Sequence, residues 1–182
     1  MMKQFLVYLG ILFFAISCNK KGESAASVSD SISITAKINA LYSQYGKSNE
    51  MVYKQPIPGD LFSEGLKKEL EKAIETSKAD IEKVKKSAHP DEKPLIFEGA
   101  IFSSLYEGFT RYKIQSADIH DTTADVTVQF EYNQATPHVV WTDKIHCIKE
   151  NNQWKIDNIS FDPIGNSGNL KIRLSDFIQN TP

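Results

Sequence analysis

The sequence predicts an α+β domain in which N-terminal helices pack on a bent four-strand antiparallel meander, followed by a short C-terminal helix. Three observations carry this expectation. Apolar residues recur at helical spacing between residues 34 and 84. From residue 111 the period changes to two, most plainly in "ADVTVQFEY", where Ala124, Val126, Val128, Phe130 and Tyr132 alternate with Asp125, Thr127, Gln129 and Glu131. Turn residues then fall at hairpin positions, Asp121–Thr122 and Asn151–Asn152, where Asn tolerates positive φ.

Ahead of the first helix, Phe5 to Ile16 is an uncharged run of twelve residues preceded by Lys3. It is too short to cross a bilayer core, which takes about twenty residues, and it matches the apolar part of a secretory signal. Ala15, Ile16, Ser17 and Cys18 end it with small residues. These four resemble the lipobox of bacterial lipoproteins, with Ala15 where that pattern prefers Leu. The resemblance implies cleavage between Ser17 and Cys18, and acylation of the Cys18 thiol as the first mature residue. Two or more acyl chains give stable anchoring where one does not. Asn19 in place of the Asp that resembles an inner-membrane retention signal implies the outer membrane of a bacterial cell envelope. The basic "NKKGE" lacks the acidic run that resembles a surface-export signal, which implies the periplasmic face. Residues 1–17 are thus expected to be a signal peptide and 18–30 a lipidated N-terminus with a flexible tether, about 20 Å in root-mean-square span. Residues 31–182 are expected to be one domain.

The elements of that domain follow in order. Asp30 or Ser31 is expected to cap a helix bearing Ile34, Ile38, Leu41, Tyr42 and Tyr45, with Gly46 as its stop. "QPIPGD" breaks the chain, and Asp60 is expected to cap a second helix with Leu66, Leu70, Ile74, Ile81 and Val84 as its apolar stripe. Glu64–Lys68 and Glu82–Lys86 are stabilising i,i+4 pairs, and "AHPDEKP" ends the helix. The apolar stretch "PLIFEGAIFSSLYEGF" from 94 to 109 is expected to line a pocket. Four strands follow: "TRYKIQSADIHD", "ADVTVQFEY", "HVVWTDKIHCIKE" and "QWKIDNISF". In the last, Trp154 and Ile156 share one parity and Ile159 and Phe161 the other, so a β-bulge is expected near Asp157 or Asn158. Leu170, Leu174, Phe177 and Ile178 mark the closing amphipathic helix.

This order, with the lipobox at Cys18, the "QWKIDNI" strand and the "LKIRL" helix, resembles the nuclear-transport-factor-2-like superfamily and, within it, envelope lipoproteins of the YbjP type. The resemblance implies a cone-like domain, its bent sheet wrapped around a long helix to leave an open mouth.

Composition and motifs narrow the function. The 182 residues carry a formal charge of −2 with both signs interspersed, which argues against a nucleic-acid partner. With Cys18 acylated, Cys147 has no intramolecular partner and is expected to be a buried, inert thiol. His138 and His146 stand about 26 Å apart along one strand and cannot share a metal; no Cys-x-x-Cys, no His pair at helical spacing and no phosphate-binding glycine loop is present. Neither metal nor cofactor is expected.

Ligand pockets combine apolar walls with a few polar groups, and the pocket or interface candidates are Tyr42, Tyr45, Phe102, Tyr106, Tyr132 and Trp141. The third strand has apolar residues on both parities, Val139, Trp141 and Ile145 against Val140 and Ile148, as a strand that meets an envelope protein or a second copy would, and equally as a curved, buried strand would. The expected role is therefore a non-catalytic, membrane-anchored module that binds a protein partner, a peptide or a small apolar ligand. An envelope enzyme is the alternative: Asp118, Asp143, Asp157, His146 and Tyr132 are its candidate acid–base groups, and an Asp/His pair would have to meet in the cone. An inhibitor or immunity-type lipoprotein is a further alternative.

Overall fold

A computed structural model describes residues 25–46, 50–164 and 168–181. Ser17 and Cys18, and with them the signal peptide, the lipidation site and most of the expected tether, lie outside these residues. The chain order is α1 (Ala25–Tyr45), α2 (Glu50–Lys54), α3 (Glu64–Lys85), β1 (Arg111–His120), β2 (Thr123–Tyr132), β3 (Val139–Glu150), β4 (Gln153–Ser160) and α4 (Leu170–Asn180). The strands form one antiparallel sheet in the order β1-β2-β3-β4, so the α+β architecture with a short C-terminal helix stands.

α1 buries Ile34, Ile38, Leu41, Tyr42 and Tyr45, the five residues its spacing marks, and meets both edge strands β1 and β4. It begins earlier than expected, since residues 25–30 are its first turns rather than tether. Asp30 is not a cap. Its Oδ1 accepts from Trp154 Nε1 at 2.8 Å and from Lys149 Nζ at 3.0 Å, fixing the start of α1 to the β3–β4 hairpin.

The cap of α3 also moves. Ser63, not Asp60, accepts from the Leu66 N–H, while Ser63 itself continues a short stretch paired with β4: Ile156 N donates to Leu61 O and Ser63 N to Ile156 O, each at 2.9 Å. Along α3 the buried line runs Leu66, Leu70, Ala73, Ser77 and Asp80. Ile74, Ile81 and Val84, expected beneath the core, are only half-buried. Glu64 pairs with Lys68 as expected, whereas Glu82 reaches Lys85 at i+3 rather than Lys86.

Both hairpin turns fall where the sequence places them, with φ of 47° at Asp121 and 50° and 62° at Asn151 and Asn152. Pairing of His146 with Asn158 and of Cys147 with Ile156 leaves Asp157 as the extra residue of a bulge in β4. A second bulge, at Gln115 between Ile114↔Val128 and Ser116↔Thr127, lies in β1. The core fills with rings: Tyr42 packs on Phe109, Tyr112 and Phe130, and Phe62 stacks on Phe102 at 5.6 Å. Among the described residues no helix is long and apolar enough to cross a membrane.

Candidate functional site

Residues 94–109 divide in two. Ile101 and Phe102 enter the core through a turn in which Tyr106 lies flat over Gly99: a Cβ there would sit 2.5 Å from the ring, at a φ of 90° that suits glycine. The first part, residues 94–98, is held along the C-terminal half of α3 by that helix's buried polar groups. Leu95 N donates to Asp80 Oδ2 at 2.7 Å and Phe97 N to Ser77 Oγ at 3.1 Å, while Tyr53 Oη donates to Phe97 O at 2.8 Å. A polar residue on a buried helix stripe is costly without a partner, and here the partners are the backbone of the next segment.

Between α2, α3 and this segment runs a groove. One hollow of about 450 Å³ is lined by Glu50, Tyr53, Lys54, Lys78, Ile81, Ile96 and Glu98. A second of about 360 Å³ shares Tyr53, Lys54 and Lys78 and adds Ile57, Glu71, Ile74 and Glu75. Ile74 and Ile81, left half-covered by the fold, supply the apolar floor. Lys54 pairs with Glu50 at 2.5 Å and Glu98 with Lys93 at 2.7 Å, so much of the rim is neutralised.

The aromatic candidates separate by burial. Tyr42, Tyr45, Phe102 and Trp141 are core residues, at most 3 % exposed, and none reaches a ligand or partner from where it lies. Tyr42 donates to Phe102 O, and Trp141 stacks on Phe130 at 5.4 Å because its parity on β3 points it inward. Tyr132 is half-buried, with its hydroxyl on Gln134 Oε1, and Tyr106 is exposed.

The acid–base candidates do not meet. Asp143 is fully buried on the helix-covered face of the sheet. Its Oδ2 accepts the Ser104 N–H at 3.0 Å, and its Oδ1 accepts the Ser104 hydroxyl and, at 3.0 Å, the Asp162 N–H. Burial raises its carboxyl above the usual range despite those bonds. Asp157, re-aimed by the bulge, accepts from Ser63 Oγ at 2.6 Å and Lys171 Nζ at 2.8 Å. Burial alone would raise it, but the bonds from Lys171 and Ser63 hold it below the usual range. Nearby Glu69, whose Oε2 is buried with no hydrogen-bond partner among the described residues, is raised by burial. His146 lies on the opposite sheet face, its Nδ1 2.9 Å from Asp125 Oδ1, and Asp118 is exposed beside His120. Among the described residues no group of three or more His, Cys, Asp or Glu is placed to hold a metal ion. Asp143 and Asp157 thus join chain segments: the first pins the 104 turn and residue 162 to β3, the second ties the start of α3 to α4.

Comparison with known proteins yields no matching family model, no matching curated protein and no matching solved structure.

The groove residues Tyr53, Lys78, Ile81 and Ile96 escaped the sequence reading. Ile81 stood in the helical stripe, but α2 and residues 94–98, which flank that side of α3, leave a hollow over it.

Proposed function

We propose that this chain is a lipid-anchored lipoprotein of the bacterial envelope, facing the periplasm, whose domain binds a partner through the groove rather than performing chemistry. The anchor rests on the apolar run Phe5 to Ile16 ending at Ser17–Cys18. The binding role rests on one observation above all: the apolar stripe of α3 stays half-open at Ile74 and Ile81 in a concavity with charged rims. Ligand sites of this size commonly combine such a floor with a few polar groups. The carboxylates an enzyme would need are engaged in holding the fold. Helices packed on one face of a four-strand meander support the likeness to the nuclear-transport-factor-2-like superfamily, which as a fold analogy says little about function.

The test is site-specific photocross-linking in living cells, with benzoylphenylalanine in place of Ile81 in the groove or of exposed Lys144 on the open sheet face. A discrete adduct from Ile81 and none from Lys144 is the expected result. Adducts from Lys144 alone would move the interface to the sheet, and none from either position would defeat the binding role.

A further inference from the structure

We infer that β1, the open edge of the sheet, pairs antiparallel with β1 of a second copy of this chain, about a twofold axis between Gln115 and Ser116. None of the core-face residues that would pair, Ile114, Ala117 and Ile119 among them, lines the groove, so the two surfaces are independent.

The two edges of the sheet differ. β4 is covered, since Phe62 bridges to Ile156 and Asn169 to Ser160. Among the described residues β1 has β2 on one side and no backbone partner on the other. Such an edge is a template for pairing with another chain. The turn at Asp121–Thr122 makes His120 and Thr123 its hydrogen-bonded closing pair, so by alternation Ala117 and Ile119 turn their N–H and C=O outward. Beyond the bulge at Gln115 the alternation shifts by one, and Tyr112 and Ile114 face outward instead.

Pairing of β1 with its own copy satisfies both halves together. Tyr112 falls opposite Ile119 of the other copy and Ile114 opposite Ala117, each residue outward in its backbone and each side chain on the core face. The two bulges coincide at the axis. A regular strand would match one half of β1 and fall out of phase on the other, so a bulge that blunts this edge against foreign strands still admits the same sequence.

Charge and shape agree. On the open face this register sets Lys113 opposite Asp118, twice by symmetry. Lys113 has no ion pair among the described residues. Asp118 faces Asp125 across the β1–β2 ladder, a costly like-charge pair, with His120 Nε2 at 3.1 Å from Asp118 and His146 beside Asp125. On the core face α1 runs diagonally, from the β3–β4 hairpin, where Asp30 holds Lys149 and Trp154, to Tyr112, whose hydroxyl donates to Asn39 at 3.0 Å. Ala117 is therefore exposed although it lies on the core face, and Ile119 is only half-buried. The twofold axis brings the Tyr112 end of the second copy, with its α1 above, beside that bare corner.

The experiment co-expresses two full-length chains in bacterial cells, one Lys113→Cys and the other Asp118→Cys, with the unaltered chain as background. Membrane and soluble fractions are both oxidised with copper–phenanthroline. In the proposed register these positions form a closely spaced pair, about 4.5 Å between Cα atoms, which a disulfide bridges. A disulfide-linked dimer is expected from the mixture and from neither variant alone, because two copies of position 113 stand about 17 Å apart along the paired strands. Lys113→Asp, at an exposed side chain, should weaken self-association of the detergent-solubilised chain about tenfold in sedimentation equilibrium, and adding Asp118→Lys should restore it. Equal cross-linking from Lys113→Cys alone would overturn this register. Capture of a different protein at position 113 would overturn the second copy as occupant. A chain that stays monomeric, or a dimer indifferent to the charge swap, would overturn edge pairing while leaving the groove untouched.

Discussion

Asp143 shows how one buried carboxylate can be structural. Alternation along β3 places it with Trp141, Ile145 and Cys147 on the core face, and parity alone therefore predicts burial. Burial then demands partners, which the 104 turn and residue 162 provide. Asp143→Ala strands the Ser104 N–H and hydroxyl and should cost about 2–4 kcal/mol in urea unfolding. Its folded pKa is raised, so its contribution to stability is full below the unfolded value of about 3.9 and is lost as pH rises through the folded value. Asp143→Asn should abolish that loss while keeping the Oδ1 acceptor. Cys147 gives a second check at this scale. Its thiol is buried and free, and burial pushes its pKa up to about 12. In a Cys18→Ser chain iodoacetamide should leave the native protein unmodified and alkylate Cys147 only in denaturant; rapid native labelling would contradict the burial.

At the level of elements, the bulge at Asp157 was legible because Trp154 and Ile156 differ in parity from Ile159 and Phe161. The same test applied to β1, where Tyr112 and Ile114 give way to Ala117 and Ile119, would have found Gln115. The caps were less legible. Asp60 and Ser63 are both good N-cap residues, and the choice is made by β4, which pairs with residues 61–63 and so sets where α3 starts. Ser63→Ala removes both the cap and a bond to Asp157, and should cost about 1–2 kcal/mol. Asp157 has a lowered folded pKa, the opposite of Asp143. Its stability is present above the unfolded pKa and lost as pH falls through the folded one. Asp157→Asn should therefore flatten the acid limb of the stability profile, seen in urea midpoints between about pH 5 and pH 2.

For the whole molecule, periodicity delivered the helices, the meander and their order, because those signals are local. What it could not deliver was which apolar residues find a cover. Tyr42, Tyr45, Phe102 and Trp141 were candidates for a ligand wall and became core, since α1 and the 99–108 turn close over them. Ile74 and Ile81 looked like core and became a groove floor, since α2 and residues 94–98, which flank that side of α3, leave a hollow over them. That groove, together with the proposed lipid anchor at Cys18, is what the proposal of a binding domain held at a membrane rests on. Ile81→Glu should leave the unfolding free energy in urea within about 1 kcal/mol of wild type, because the side chain is already half in water, while abolishing cross-linking from neighbouring groove positions.

The most direct test of that central claim is metabolic labelling with radiolabelled palmitate in a bacterial host, with the mass of the mature chain read in parallel. The account predicts a labelled, membrane-bound chain that begins at residue 18, and loss of the label in Cys18→Ala. An unlabelled chain, or one cleaved at another position and released into the soluble fraction, would contradict it.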